Sequence, residues 1–468
     1  MTSFAIMFFV VLLSCCLSIV QGSNILCVFP TPAFSHQTVF AAYVDKLATA
    51  GHNVTVITPM PRNVKHITEI GCKLSVQYFT SLVKNSTMIK QRGVVADENT
   101  VTADNYIPLV DMVVEQFKSE NVTKLLTNKD NHFDLVVCEA FLSINLIFGY
   151  LYRAPVIRIS SGYGTNENFE TMNTGVVYNF TKHPNMWRSK FYVHNEHKAK
   201  MLEQKLAGEW AVLEQTQEQR LKQLFGDNIP SMSQLKEKVL MLFINVASVY
   251  DNNRAVGDNV QYLGGLHLKK PQPITDIELS MFLNNIDVVI YVSFGSIMDV
   301  SAMDQNMLSE LVRVFNSLPY NVLWRAPDTI RTRFNLSSSV LTRNWFPQRD
   351  ILNHPNVKLF VTQGGVQSMD EAIDSEVPTL GLAMAGDQFY NVHRTVQLGI
   401  GKSVNILKLE KERLDKKIVH MINNDRYTKR LRDLKKYIRS TTVDPIRKAL
   451  WHTNRVLKNS NLMYLFNK

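Results

Sequence analysis

The stretch LFVTQGGVQSMDEAIDSEVPTLGLAMAGDQ, residues 359–388, decides the fold. It opens with a short apolar run of strand length, which Gly364-Gly365 ends. Glycine turns the backbone tightly without a Cβ clash. A helix, a second strand and a polar loop follow in the pattern. The helix points its first N–H groups back at the turn, which makes a ready anion site. Gln363, Gln367, Glu371, Asp387 and Gln388 gather hydrogen-bonding groups around that site. A phosphate, a ribose and a sugar together need that mixture. A lone Gly-Gly turn is most often only a connection between strand and helix, so the ordered set carries the reading.

Two further segments lie upstream in fixed order: NWFPQRDILNHPNV at 344–357 and VVIYVSFGS at 288–296. Together the three segments resemble the C-terminal half of the UDP-glycosyltransferases. The resemblance runs from the mature N-terminus to the end of the chain and is strongest over 288–401. It is nearest to the ecdysteroid UDP-glucosyltransferases of baculoviruses. Those enzymes resemble this chain in TQGGVQS and GDQFYN, where most animal relatives have His in place of Gln363. They also resemble it in ending, like Lys468, without a membrane anchor. The resemblance implies a GT-B architecture: an α/β fold of two Rossmann-like domains facing a central cleft.

Bulk properties agree with two ordinary domains. A chain of 468 residues buries more than one core, and its 45% hydrophobic and 20% charged content is that of a globular protein. The net charge of +10 raises nucleic acid or membrane as partners. Many of the cations spread over the solvated region 416–439, without the aromatic interleaving that stacks bases. A basic chain also suits a dianionic nucleotide donor, and no nucleic-acid partner is expected. These features leave room for a homo-oligomer.

Residues 1–22 read as a secretory signal, with an apolar run at 4–20 and small residues near the cleavage point. A retained anchor is the alternative. No later apolar stretch is long enough to span a bilayer. The expected location is therefore secreted, through the secretory pathway. The three cysteines beyond that leader are Cys27, Cys72 and Cys138, too few and too odd for a disulfide framework. No Cys/His cluster has zinc spacing and no Asp-x-Asp pair is visible, so neither metal nor cofactor is expected, only a UDP-sugar co-substrate. Sequons begin at Asn85, Asn121, Asn179 and Asn335 and suit glycans. Asn53 also begins one, but it opens an apolar strand and is expected to be buried.

Along the chain, residues 23–265 read as the first domain, which would bind the acceptor. Strand 25–29, a loop, a helix to Ala50 and strand 54–57 imply a parallel βαβ unit. Strands at 135–138, 156–159 and 242–246 would extend its sheet. The polar region 169–225 would cover the acceptor side. A linker near 264–275 leads to the UDP-sugar domain, 266–440, with strands at 288–293, 322–324, 359–362 and 379–382. The tail 441–468 is helical and, as the resemblance implies, packs back on the first domain.

His36 follows the first strand, where parallel sheets bind ligands. Histidine takes a proton at neutral pH, as an acceptor hydroxyl requires. Ser35 is the expected cap of the helix behind it. A lone loop histidine is usually just solvated, but the family has its catalytic base here. The family's orienting Asp corresponds to Glu139, in FDLVVCEAF, and Asp134 is the rival carboxylate. For the donor, Trp345 offers a face to uracil, with a packing role as its alternative. Gln348 would bond the base edge or ribose. Glu371, one turn after Gln367, would accept from two ribose hydroxyls, unless it is simply a solvated helix residue. Ser293, Ser296 and Arg325 are further donor candidates. Thr362, Gln363, Gly365, Gln367 and Ser368 would cradle pyrophosphate and sugar, with Asp387 and Gln388 on the sugar hydroxyls. With a neutral Gln363, the helix N-terminus must carry more of the leaving-group charge.

The implied reaction is inverting transfer of a sugar, glucose by resemblance, from a UDP-sugar to an ecdysteroid hydroxyl. It would inactivate the hormone and interfere with host moulting. The alternatives are a transferase for other small lipophilic alcohols and a sugar-nucleotide or steroid binder without turnover.

Overall fold

A computed structural model describes residues 22–72, 74–172, 179, 182–183, 195–441 and 443–466. The expected leader therefore lies outside the described residues. Within them the chain builds two large parallel sheets.

The first sheet contains β1 (Asn24–Val28), β2 (Asn53–Thr58), β3 (Ile67–Gly71), β6 (Leu135–Glu139), β7 (Val156–Ser160), β8 (Val239–Ile244) and β9 (Val260–Tyr262). Its order is β3-β2-β1-β6-β7-β8-β9. The strands read as continuous apolar runs because helices cover both faces. β8, VLMLFI, is buried at every position. The sequence pattern misses β3 and β9. β3 is half-exposed along most of its length, so it lacks an apolar run.

The second sheet contains β10 (Val289–Ser293), β11 (Asn321–Arg325), β12 (Val340–Arg343), β13 (Val357–Thr362), β14 (Thr379–Gly381) and β15 (Gly401–Ser403). Its order is β12-β11-β10-β13-β14-β15. In each sheet the order reverses direction beside the first strand, between β1 and β6 and between β10 and β13. Those are the points where such sheets open a crevice at their carboxyl ends.

Helices that matter for the site are α1 (Phe34–Thr49), α2 (Ala103–Lys118), α3 (Glu196–Phe225), α4 (Gln305–Ser317), α5 (Val366–Asp374), α6 (Gln388–Gln397), α7 (Arg426–Thr441) and α8 (Pro445–Phe466). α8 returns to the first sheet: Ala449, Val456 and Met463 join the core beside β1 and α1. There the Tyr43 and Thr453 hydroxyls lie 2.6 Å apart. The basic α7 spends part of its charge on α5 and the turn after it, where Lys435 and Arg439 meet Asp374 and Arg432 meets Glu376.

One piece of the first half leaves it. The hairpin of β4 (Ile89–Gln91) and β5 (Val95–Ala96) buries Val94 and Val95 in the core of the second half. The Ala96 N–H donates to Met384 O at 2.7 Å, and Arg92 pairs with Asp304 and Glu410.

Two local expectations change. Ala33, not Ser35, is the N-cap of α1, and no side chain caps that end. Asn53 is exposed rather than buried, because it is the first residue of β2 and aligns with Asn24 at the open end of the sheet. Its amide donates to Asn24 Oδ1 at 3.0 Å. Cys27, Cys72 and Cys138 are free and buried. No helix among the described residues is long and apolar enough to cross a membrane.

Candidate active site

The loops at the carboxyl ends of both sheets meet across one cleft of about 400 Å³. Its walls come chiefly from the segments after β1, β7, β10, β12, β13 and β14, joined by His267 and Lys269 of the linker after β9 and by Arg325 at the end of β11. Most of the wall is thus strand-to-helix turns, the position at which a parallel sheet presents polar groups to a ligand.

On the first half, β1 and β6 pair directly, Val28 against Cys138. His36 stands in the first turn of α1 just past β1, and Glu139 ends β6. His36 Nδ1 lies 2.7 Å from Glu139 Oε1. Glu139 is buried, and its other oxygen accepts from the Thr31 N–H at 3.1 Å. Both carboxylate oxygens are therefore fixed. The Nδ1–H donates to the carboxylate, so Nε2 keeps its lone pair for a substrate proton. Asp134, the rival, is occupied elsewhere: it accepts from the Asn24 N–H at 2.8 Å on the exposed edge where β6 begins.

On the second half, the turn after β13 is set by Gly364, whose φ is +86°. Thr362 sits apart from the rest of the expected cradle. It is fully buried, its hydroxyl accepts from the Gly364 N–H at 3.2 Å, and it stays off the cleft wall. Its hydroxyl braces the turn. Gln363, Gly365, Gln367, Ser368 and Glu371 all reach the cleft. Gln363 Oε1 is buried with no hydrogen-bond partner. Gln348 Nε2 bonds Ser368 Oγ at 2.9 Å and Glu371 Oε2 at 2.7 Å, so these three form one cluster. Burial raises the pKa of Glu371, and the Gln348 amide offsets part of that.

Trp345 is not a core residue. It is 52% exposed, with the Phe34 ring edge-on at 4.9 Å from across the cleft and the Arg325 guanidinium 5.2 Å from its centroid. Arg325 also donates to Gly295 O, and Ser293 and Ser296 flank that turn in the cleft wall. At the far end, Asp387 is raised in pKa by burial, while the Asn391 amide and the nearby His36 ring pull it back. Gln388 Oε1 accepts from the Met384 and Ala385 N–H groups, which fixes that loop. Apart from Thr362, every expected donor residue thus lines one cleft, with His36 opposite.

Other cleft residues were not singled out from the sequence: Phe34, Ser161, Tyr163, His267 and Lys269. The segment SSGYG follows β7 as PAFSH follows β1, and that shared place after a parallel strand was the available signal. His267 is buried and its pKa falls to about 4, so it is neutral as its Nε2 meets Gln367 O at 3.2 Å. Among the described residues no group of three or more His, Cys, Asp or Glu side chains could hold a metal ion.

Two parallel-sheet halves with switch points facing across a cleft define a GT-B glycosyltransferase. The solved glycosyltransferase of kitacinnamycin shares the fold, with a TM-score of 0.61 at 17% identity over 93% of this chain and 99% of that one. So does VinC in complex with DTDP, with a TM-score of 0.61 at 14% identity and the same coverage. The family model described as UDP-glucoronosyl and UDP-glucosyl transferase matches residues 24–461, and the chain belongs to that family. It is an enzyme that uses a UDP-sugar as co-substrate. It is 55% identical to the ecdysteroid UDP-glucosyltransferase of Lacanobia oleracea granulosis virus, over 98% of this chain and 99% of that protein. To the protein of the same name from Autographa californica nuclear polyhedrosis virus it is 40% identical, over 94% and 90%.

Proposed function

We propose that this enzyme transfers glucose from UDP-glucose to a hydroxyl of an ecdysteroid, with inversion at the anomeric carbon. The observation that carries the reading is the His36–Glu139 pair, held at 2.7 Å on the lip opposite the donor wall. The acceptor O–H gives its proton to His36 Nε2 while its oxygen bonds the anomeric carbon from the face opposite UDP. The bond to UDP breaks, and its electron pair leaves on the β-phosphate oxygen. The buried Glu139 carboxylate stabilises the imidazolium that forms. The N-terminus of α5 disperses charge at the leaving phosphate, where Gln363 adds none.

In this reading Trp345 stacks on uracil, the Gln348–Glu371 cluster takes the ribose, and Ser293, Ser296, Arg325, Gln367 and Ser368 surround the diphosphate. Asp387 and Gln388 bond the sugar hydroxyls. The acceptor class is supported by the names of the viral relatives. A hormone so modified would be inactive, which would interfere with moulting of an insect host. The enzyme would act outside the producing cell after cleavage of residues 1–22.

Incubating the enzyme with labelled UDP-glucose, UDP-galactose and a panel of ecdysteroids and other lipophilic alcohols tests the reading. The expected product is an ecdysteroid β-glucoside by NMR of its anomeric proton. An α-glycoside would rule out inversion, and transfer to the other alcohols alone would rule out the acceptor. N-terminal sequencing of protein from culture medium tests location; an intact Met1 in a membrane pellet would reject it.

A further inference from the structure

One hydrogen bond crosses from the first half to a side chain of the donor wall, and that side chain makes two more within the second half. Tyr163, in the loop after β7, donates its hydroxyl to Asn391 Oδ1 at 2.8 Å. Asn391, on α6, uses its Nδ2 to donate to Asp387 Oδ2 and to Gly364 O, both at 2.9 Å. Asn391 is fully buried and Tyr163 is 2% exposed. The same loop accepts a second bond from the donor wall, from Gln367 Nε2 to Ser161 O at 2.8 Å.

We propose that Tyr163 and Asn391 are positioning residues that aim the Asp387 carboxylate at the donor sugar only when the two halves are closed. This rests on the reading of Asp387 as a sugar-binding group. An amide offers a carbonyl oxygen at one end and two N–H donors at the other. With Oδ1 taking the phenol proton, both N–H groups are directed at Asp387 and at the Gly364 carbonyl of the phosphate turn. Burial holds the phenol protonated, so it always donates. Without the phenol a buried Oδ1 loses its partner, and the flipped amide would set two oxygens against each other at Asp387. The phenol comes from the half that carries His36. The sugar-binding carboxylate is therefore oriented by the same closure that brings the base to the anomeric carbon. Tyr163 touches the cleft but acts through Asn391.

The test is Tyr163→Phe, which keeps the buried ring and removes one oxygen. Transfer from UDP-glucose should fall roughly 5–20-fold in kcat, with the acceptor KM unchanged. The acid limb of the pH–rate profile should move to higher pH, because a loosened amide stabilises the Asp387 anion less. Asn391→Ser should shift the same limb in the same direction. Combined with Asp387→Asn, Tyr163→Phe should add little, since both act on one group. If Asp387→Asn abolishes transfer while Tyr163→Phe keeps wild-type kcat and pH profile, the relay is wrong and the site reading stands. If Asp387→Asn transfers normally, the sugar-site reading itself fails. A Tyr163→Phe protein that loses only melting temperature, with normal kinetics per folded molecule, would also overturn the relay.

Discussion

His36 meets Glu139 through Nδ1, which leaves Nε2 as the only ring atom able to take a substrate proton. His36→Ala should lower turnover by roughly 10²–10⁴-fold while UDP affinity, measured by calorimetry, stays unchanged. Glu139→Gln keeps an acceptor for Nδ1 but removes the charge that stabilises imidazolium, and should cost on the order of a hundredfold or more in kcat. Asp134→Asn touches only the strand edge and should change kcat by less than about twofold. A reversed ranking of the two carboxylates would overturn the pairing. The sequence placed Glu139 in this role only through resemblance. A carboxylate 103 residues from its histidine cannot be paired from spacing, and the adjacency of β1 and β6 supplies the contact.

At the scale of elements, the donor site is a set of strand-to-helix turns, each with a narrow tolerance. Gly295, after β10, has a φ of +74°, and a Cβ there would meet Gln363 Nε2 at 2.2 Å. Gln363 ends a flexible side chain, so it would give way instead of blocking folding. Gly295→Ala should therefore push Gln363 out of the cleft and strain the turn that Arg325 bonds. We expect KM for UDP-glucose to rise by roughly tenfold, a loss of one well-placed contact. An unchanged KM would show that Gln363 does not meet the donor. Strand–turn–helix order was legible here because an apolar run, two glycines and a helical period sit within about ten residues. β3, β12 and β15 were not legible: each is short or partly exposed, so burial does not write an apolar run into it.

At the scale of the whole molecule, the linker is pinned to the second half by a buried carboxylate. Asp370, on α5, is buried, accepts from the Gly265 N–H of the linker, and leaves Oδ2 without a partner. Burial, with Glu371 beside it, raises its pKa to about 8. An unfolded Asp titrates near pH 4, so the folded state binds the extra proton between about 4 and 8. Stability from this group is thus full below about pH 4 and lost as pH rises toward 8. Asp370→Asn keeps an acceptor for Gly265 and removes the titration. It should raise the melting temperature by about 2–6 °C at pH 8 and change it little at pH 4. Parallel melting curves for wild type and variant across that range would contradict the assignment.

The sequence by itself determined the local chemistry. It set the Gly-Gly turn, the helix behind it and the donor groups Gln367, Ser368 and Glu371 on that helix, because backbone freedom and helical period act over a few residues. It also set two sheets, since buried parallel strands must be apolar throughout. Only the tertiary structure decided what those parts meet. It turned Thr362 inward, exposed Asn53, sent β4 and β5 into the other half's core, and joined Tyr163 to Asn391 across 228 residues. The reason is that strand order and the closing of two halves are settled by packing many surfaces at once. No single segment carries that information.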